Sequence, residues 1–80
     1  MDERTQRLGQ RAELRQERGR LVPELAALRD QLRLKLDPVA EVAELPGEEI
    51  ATLAAALAGR QSRLRELDAK LATLARILGE

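Results

Sequence analysis

The sequence predicts an all-α protein: an antiparallel helical hairpin with a coiled-coil-like seam, which dimerises into a four-helix bundle. Leu and Ile recur every seven residues in the second half of the 80-residue chain, a spacing typical of a helix that buries one stripe against another helix. Two helix-forming segments of similar length flank a short connector. The chain has no Cys, His or aromatic residue, so aliphatic side chains must form the core. We expect one domain over residues 1–80.

Residues 2–36 are predicted to form the first helix, because Arg, Glu, Gln, Leu and Ala are strong helix formers. Pro23 interrupts this segment, since a proline inside a helix lacks the amide donor and collides with the carbonyl of Gly19, four residues earlier. The helix therefore either kinks near Pro23 or breaks there, and the unchanged phase of the leucines across Pro23 favours the kink. The apolar seam of this helix consists of Leu14, Leu21, Leu25, Leu28 and Leu32. A second apolar strip indicates that the buried face rotates around the helix: Leu8, Ala12, Gly19 and Val22.

Residues 37–47 are predicted to be the connector, with one short helical turn within 38–44. Asp37 is a good N-cap, and Pro38 suits the first position of a helical turn. Pro46 then precedes the second helix.

The second helix is predicted over residues 47–78, with Gly79 as its C-terminal stop. Acidic residues in its first turn suit the positive end of the helix dipole. Its seam consists of one isoleucine and seven leucines: Ile50, Leu53, Leu57, Leu64, Leu67, Leu71, Leu74 and Leu78.

Arg60 is the polar exception in the seam of the second helix. A charged group at such a position needs a partner or a route to water. When the chain folds back near residues 41–42, Glu24 comes close to Arg60. We therefore expect Arg60 to help fix the pairing of the helices rather than to bind a ligand.

The predicted helices are roughly 52 and 48 Å long at 1.5 Å per residue, which suits a hairpin. Two helices leave apolar residues outside their shared seam, among them Leu34, Leu36 and Ile77. Two-fold dimers are the commonest oligomers, so we expect a homodimer. A helix of another protein is the alternative occupant of this surface.

The charge pattern favours a protein-interaction role over nucleic-acid binding. The 14 basic and 14 acidic residues cancel, whereas a nucleic-acid-binding domain usually has a strong basic excess. We therefore predict a small non-catalytic interaction protein that acts through self-association and contacts with a partner. The alternative is a small regulator that binds nucleic acid through the Arg-rich start of the first helix: Arg4, Arg7, Arg11 and Arg18. In architecture alone, without a shared motif, the predicted hairpin also resembles small plasmid copy-number regulators, which are hairpin dimers that bind paired RNA loops.

Catalytic chemistry is not indicated, because the chain lacks Cys, His and Tyr and has no Gly-rich phosphate loop. Residues 64–68, Leu-Arg-Glu-Leu-Asp, resemble the first helix of the small all-helical chorismate mutases. The family's second Asp, the paired leucines after it and the downstream Arg/Lys pattern are missing, so no catalytic residue is carried over. The acidic connector lacks the loop spacing of an EF-hand. We predict no enzyme activity, no cofactor and no metal.

Membrane insertion is not predicted either. No apolar run approaches the ~18 residues of a membrane span, and the first residues lack the apolar core of a signal peptide. A cytoplasmic location is the resulting expectation.

Overall fold

The computed structural model describes residues 2–79 and consists of two long helices that pack against each other. Helix α1 spans Glu3–Lys35 and helix α2 spans Gly47–Ile77, with a short 3₁₀ helix at Val42–Glu44 between them. No strand occurs within the described residues. The chain forms a rod whose Cα extents are 61 × 19 × 15 Å. The predicted all-α hairpin is therefore confirmed.

Ion pairs and hydrogen bonds join the two helices at both ends of the rod. Near the connector, Lys35 Nζ lies 2.8 Å from Glu49 Oε2. At the other end, Arg4 Nη1 donates to the Leu78 carbonyl oxygen over 3.4 Å. These contacts show that α1 and α2 run antiparallel over their whole length. We call the part of the rod formed by residues 2–20 and 60–79 the terminal half, and the part formed by residues 21–59 the connector half.

Helix α1 begins with a side-chain cap and continues through its internal proline. Asp2 accepts a hydrogen bond from the Arg4 amide at 3.0 Å, which satisfies one of the free donors at the helix start. Pro23 lies inside α1, and the helix is not divided there. The break considered from the sequence is thus not observed.

The connector contains a short helical turn within the predicted range 38–44, the 3₁₀ helix Val42–Glu44, and in addition a separate turn before it. Asp37 Oδ1 accepts from the Val39 amide at 3.0 Å, and the Asp37 carbonyl accepts from the Ala40 amide at 3.2 Å. The 3₁₀ helix follows as a second turn. Asp37 therefore caps a local turn rather than a helix.

Helix α2 starts directly after Pro46, whose carbonyl accepts from the Ile50 amide at 2.9 Å. At its other end Gly79 has a φ of 78°, a left-handed conformation that glycine adopts without steric penalty. Gly79 thus ends α2, as predicted.

The best-buried part of the core lies in and next to the terminal half. Its central cluster consists of Leu14, Leu21, Leu67 and Leu74, and Leu67 has no exposed surface. Leu78 is also buried. The remaining seam residues are only half-buried: Leu25, Leu28, Leu32, Ile50, Leu53, Leu57, Leu64 and Leu71. The hairpin alone therefore leaves much of its seam in contact with water, above all in the connector half.

Candidate interaction surfaces

One side of the rod carries a network of charged residues that links the two helices; we call it the polar side. Arg63 donates from Nε and Nη2 to the two carboxylate oxygens of Glu17, over 2.5 and 2.7 Å. Arg63 also lies 3.3 Å from Glu66, which pairs with Lys70 at 3.2 Å. Two-point Arg–carboxylate contacts are geometrically specific. This network therefore helps to set the register of α1 against α2.

Arg60 pairs with Glu24 on the same side, as the sequence predicted. The distance from Arg60 Nε to Glu24 Oε2 is 3.1 Å, and the Arg60 side chain remains 42% exposed. Its guanidinium group thus leaves the seam and reaches the surface. The cost of burying an ion in an apolar core is avoided in this way.

The network lowers the carboxyl pKa of two of its members. The hydrogen bond from Arg63 holds the pKa of Glu17 below its ordinary value of 4.5. The pKa of Glu66 is lowered first by its hydrogen bond from Lys70 and then by that from Arg63. Each group therefore stabilises the folded state while it is ionised.

Acidification is expected to destabilise the hairpin through these two residues. Because their folded pKa values lie below 4.5, their contribution is complete above that pH and is lost as the pH falls through the folded values. Thermal unfolding followed by circular dichroism between pH 7 and pH 2 measures the loss. The Glu17→Gln variant should lose less stability than the wild type over this range. Glu41→Gln, a change in the connector, is the matched control and should behave as wild type; equal acid sensitivity in all three proteins would contradict this assignment.

The arginines at the start of α1 take part in contacts within the hairpin. Arg4 reaches the Leu78 carbonyl, and Arg7 pairs with Glu3. Arg18 Nε lies 2.7 Å from Asp68 Oδ1 on α2. Arg11 is half-buried. Of the four residues predicted as a nucleic-acid surface, at least Arg4 and Arg18 therefore join the helices to each other.

An open apolar groove lies between the helices midway along the rod, on the side away from the Arg63 network. Its apolar lining comes from both helices, and Arg29 and Gln61 lie at its margin. We call it the mid-rod groove; its apolar residues are Val22, Leu25, Ala26, Leu57 and Leu64. Val22 is 39% exposed, and the other four are half-buried. The sequence signal for this groove was the second apolar strip of α1, whose last residue is Val22. Ala26 lies one helical turn after Val22, on the same side of the helix.

The most exposed of the large apolar side chains lie near the connector. Leu34, Val39 and Val42 are at least 80% exposed. Leu36, beside them, is about half exposed, as is Ile77 at the opposite end of the rod. Neither helix contacts these side chains closely enough to bury them.

The described residues offer no metal site and no membrane-spanning segment. Within residues 2–79, no three acidic side chains converge closely enough to hold a metal ion. Neither long helix in this range has an apolar stretch of the length that a bilayer crossing needs.

No family model, curated protein or solved structure matches the chain.

Proposed function

We propose that this chain is a small non-catalytic helical interaction protein that acts by self-association and by offering helix faces to a partner protein. The observation that carries the proposal is its accessible surface. The hairpin exposes 5972 Å², whereas a globular monomer of 8.9 kDa is expected to expose about 4,800 Å². The excess of roughly 1,150 Å² is larger than the ~800 Å² that one partner contributes to a standard interface.

The type of surface left exposed supports the same proposal. Five large aliphatic side chains are buried, while six others are exposed and most of the seam is half-buried. Burial of apolar surface is the main favourable term in both folding and association. Pairing with a second helical hairpin would extend the core without any change in the fold.

Self-association should appear in both mass and thermal stability. Sedimentation at micromolar concentration is expected to give twice the chain mass of 8.9 kDa. Because dilution favours dissociated chains, the melting temperature should rise by about 3–5 °C for each tenfold increase in concentration. A fully helical species of 8.9 kDa with a concentration-independent melting temperature would contradict the proposal.

Nucleic-acid binding through the start of α1 remains a prediction from the sequence and is not part of this proposal. Arg18 is engaged with Asp68, and Arg4 with the end of α2. A phosphate backbone would have to compete with these contacts for the same guanidinium groups.

A further inference from the structure

We propose that the second copy packs antiparallel to the first, with its connector half along the terminal half of its neighbour and the two mid-rod grooves face to face. This inference rests on the self-association proposed above. It adds the orientation of the partner and the surface at the centre of the contact.

The charge distribution along the rod supports the antiparallel orientation of the two copies. The terminal half has eleven basic and six acidic residues, a net charge of +5. The connector half has three basic and seven acidic residues, a net charge of −4. In a parallel dimer, like-charged halves would lie side by side; in an antiparallel dimer each half lies beside its opposite. Such complementarity suppresses wrong orientations and speeds correct encounters.

The groove lies near the middle of both helices, and this position places it at the centre of the proposed contact between copies. α1 covers Glu3–Lys35, and Val22 lies close to its middle. α2 covers Gly47–Ile77, and Gln61 lies close to its middle. A two-fold axis perpendicular to the rod relates antiparallel copies, and at full overlap it passes through this central region. The same patch then faces its own copy, as a two-fold interface requires.

The choice of side follows from helix geometry. Successive residues are about 100° apart around a helix, so residues two apart point to nearly opposite sides. Val22 and Gln61 line or border the groove, while Glu24 and Arg63, two positions further on, carry ion pairs on the polar side. A partner on the polar side would have to desolvate these charges, which is costly. A partner centred on the groove meets mainly aliphatic side chains. Arg29 lies at the margin of the groove, and the Arg18–Asp68 pair lies on the same side, further toward the terminal half.

The dimensions of the rod favour lateral over end-to-end contact. The broad face measures 61 by 19 Å between Cα atoms, roughly 1,150 Å² in projection, against the ~800 Å² per partner of a standard interface. The end measures 19 by 15 Å, roughly 290 Å², which is too small for a stable contact. Charge attraction between opposite ends therefore acts best when the rods lie side by side.

Spin-label distances between copies test the arrangement. The chain has no Cys, so one introduced Cys gives one labelling site per copy. Val39→Cys places the label at the connector, where the side chain is 89% exposed. Ser62→Cys, also at an exposed position, places it near the middle of α2 and serves as the matched control. Circular dichroism checks that each labelled variant keeps its helicity.

We expect the Ser62 labels to be separated by a distance on the scale of the 19 Å rod width, and the Val39 labels by a distance approaching the 61 Å rod length. If both pairs lie at the shorter distance, the copies are parallel: the orientation is then wrong while self-association stands. If the Ser62 labels show no distance between copies and the mass is 8.9 kDa, self-association itself fails, and this inference fails with it.

Discussion

Replacing Leu67 with Ala is expected to lower the free energy of unfolding by about 2–5 kcal/mol, the range for truncating a buried leucine. Leu67 is the one described residue whose side chain is large and completely buried, and it packs with Leu14, Leu21 and Leu74. A domain of this size has a total stability of roughly 4–12 kcal/mol. The loss therefore removes a large part of the stability of the hairpin. Urea unfolding followed by circular dichroism at 222 nm measures it directly.

The matched control is Leu34→Ala in α1. Leu34 is 80% exposed, so in the isolated hairpin its truncation should change stability by no more than about 0.5 kcal/mol. Equal losses for the two variants would contradict the core assigned here. A large loss for Leu34→Ala alone at high protein concentration would instead place Leu34 in an interface between copies.

The fold was predictable because periodicity and length act together. A seven-residue repeat predicts which stripe of each helix is buried, and two helices of similar length joined by a short connector can pack along their full length only by reversing direction. The same reasoning placed Glu24 beside Arg60, and the structure shows that pair. Register follows from the lengths of the two helices and the position of the connector, so a single sequence can indicate it.

The roles of the charged residues were less predictable. Arg18 occupies the same heptad track as Leu25 and Leu32, and the sequence predicted it only as part of the alternative nucleic-acid surface. In the structure it pairs with Asp68, fifty residues away. Such a contact depends on the rotation of both helices about their axes to within a few tens of degrees. The spacing of apolar residues does not define the rotation of each helix about its axis that closely. An apolar side chain near the edge of the seam can pack in more than one rotation of the helix.

The connector was also predicted only in part, and for a local reason. Asp37 and the two prolines, Pro38 and Pro46, indicated where the long helices are interrupted, but the number of turns between them depends on individual hydrogen bonds. The Asp37 side chain accepts from the Val39 amide, which closes one turn before the 3₁₀ helix begins. Short polar side chains often compete with the backbone in this way.

Replacing Pro23 with Ala is expected to stabilise the hairpin by about 2 kcal/mol. Proline in a helix interior costs about 3 kcal/mol relative to alanine, and α1 continues through this position. The substitution restores an amide donor for the Gly19 carbonyl. Part of the gain, about 0.4–1 kcal/mol, is offset because the unfolded chain becomes more flexible without the proline ring. Chemical denaturation of the purified variant measures the net change.

Pro38→Ala provides the control of opposite sign. Pro38 lies in a connector turn outside both long helices, where a proline restricts the unfolded chain without breaking a helical hydrogen bond. Its replacement should therefore lower stability by about 0.4–1 kcal/mol. If Pro23→Ala also lowers stability, the backbone geometry that Pro23 imposes is needed to place both Leu21 and Leu28 against α2. The proline would then be part of the packing of the seam, and its cost within α1 would be offset by the contacts on either side of it.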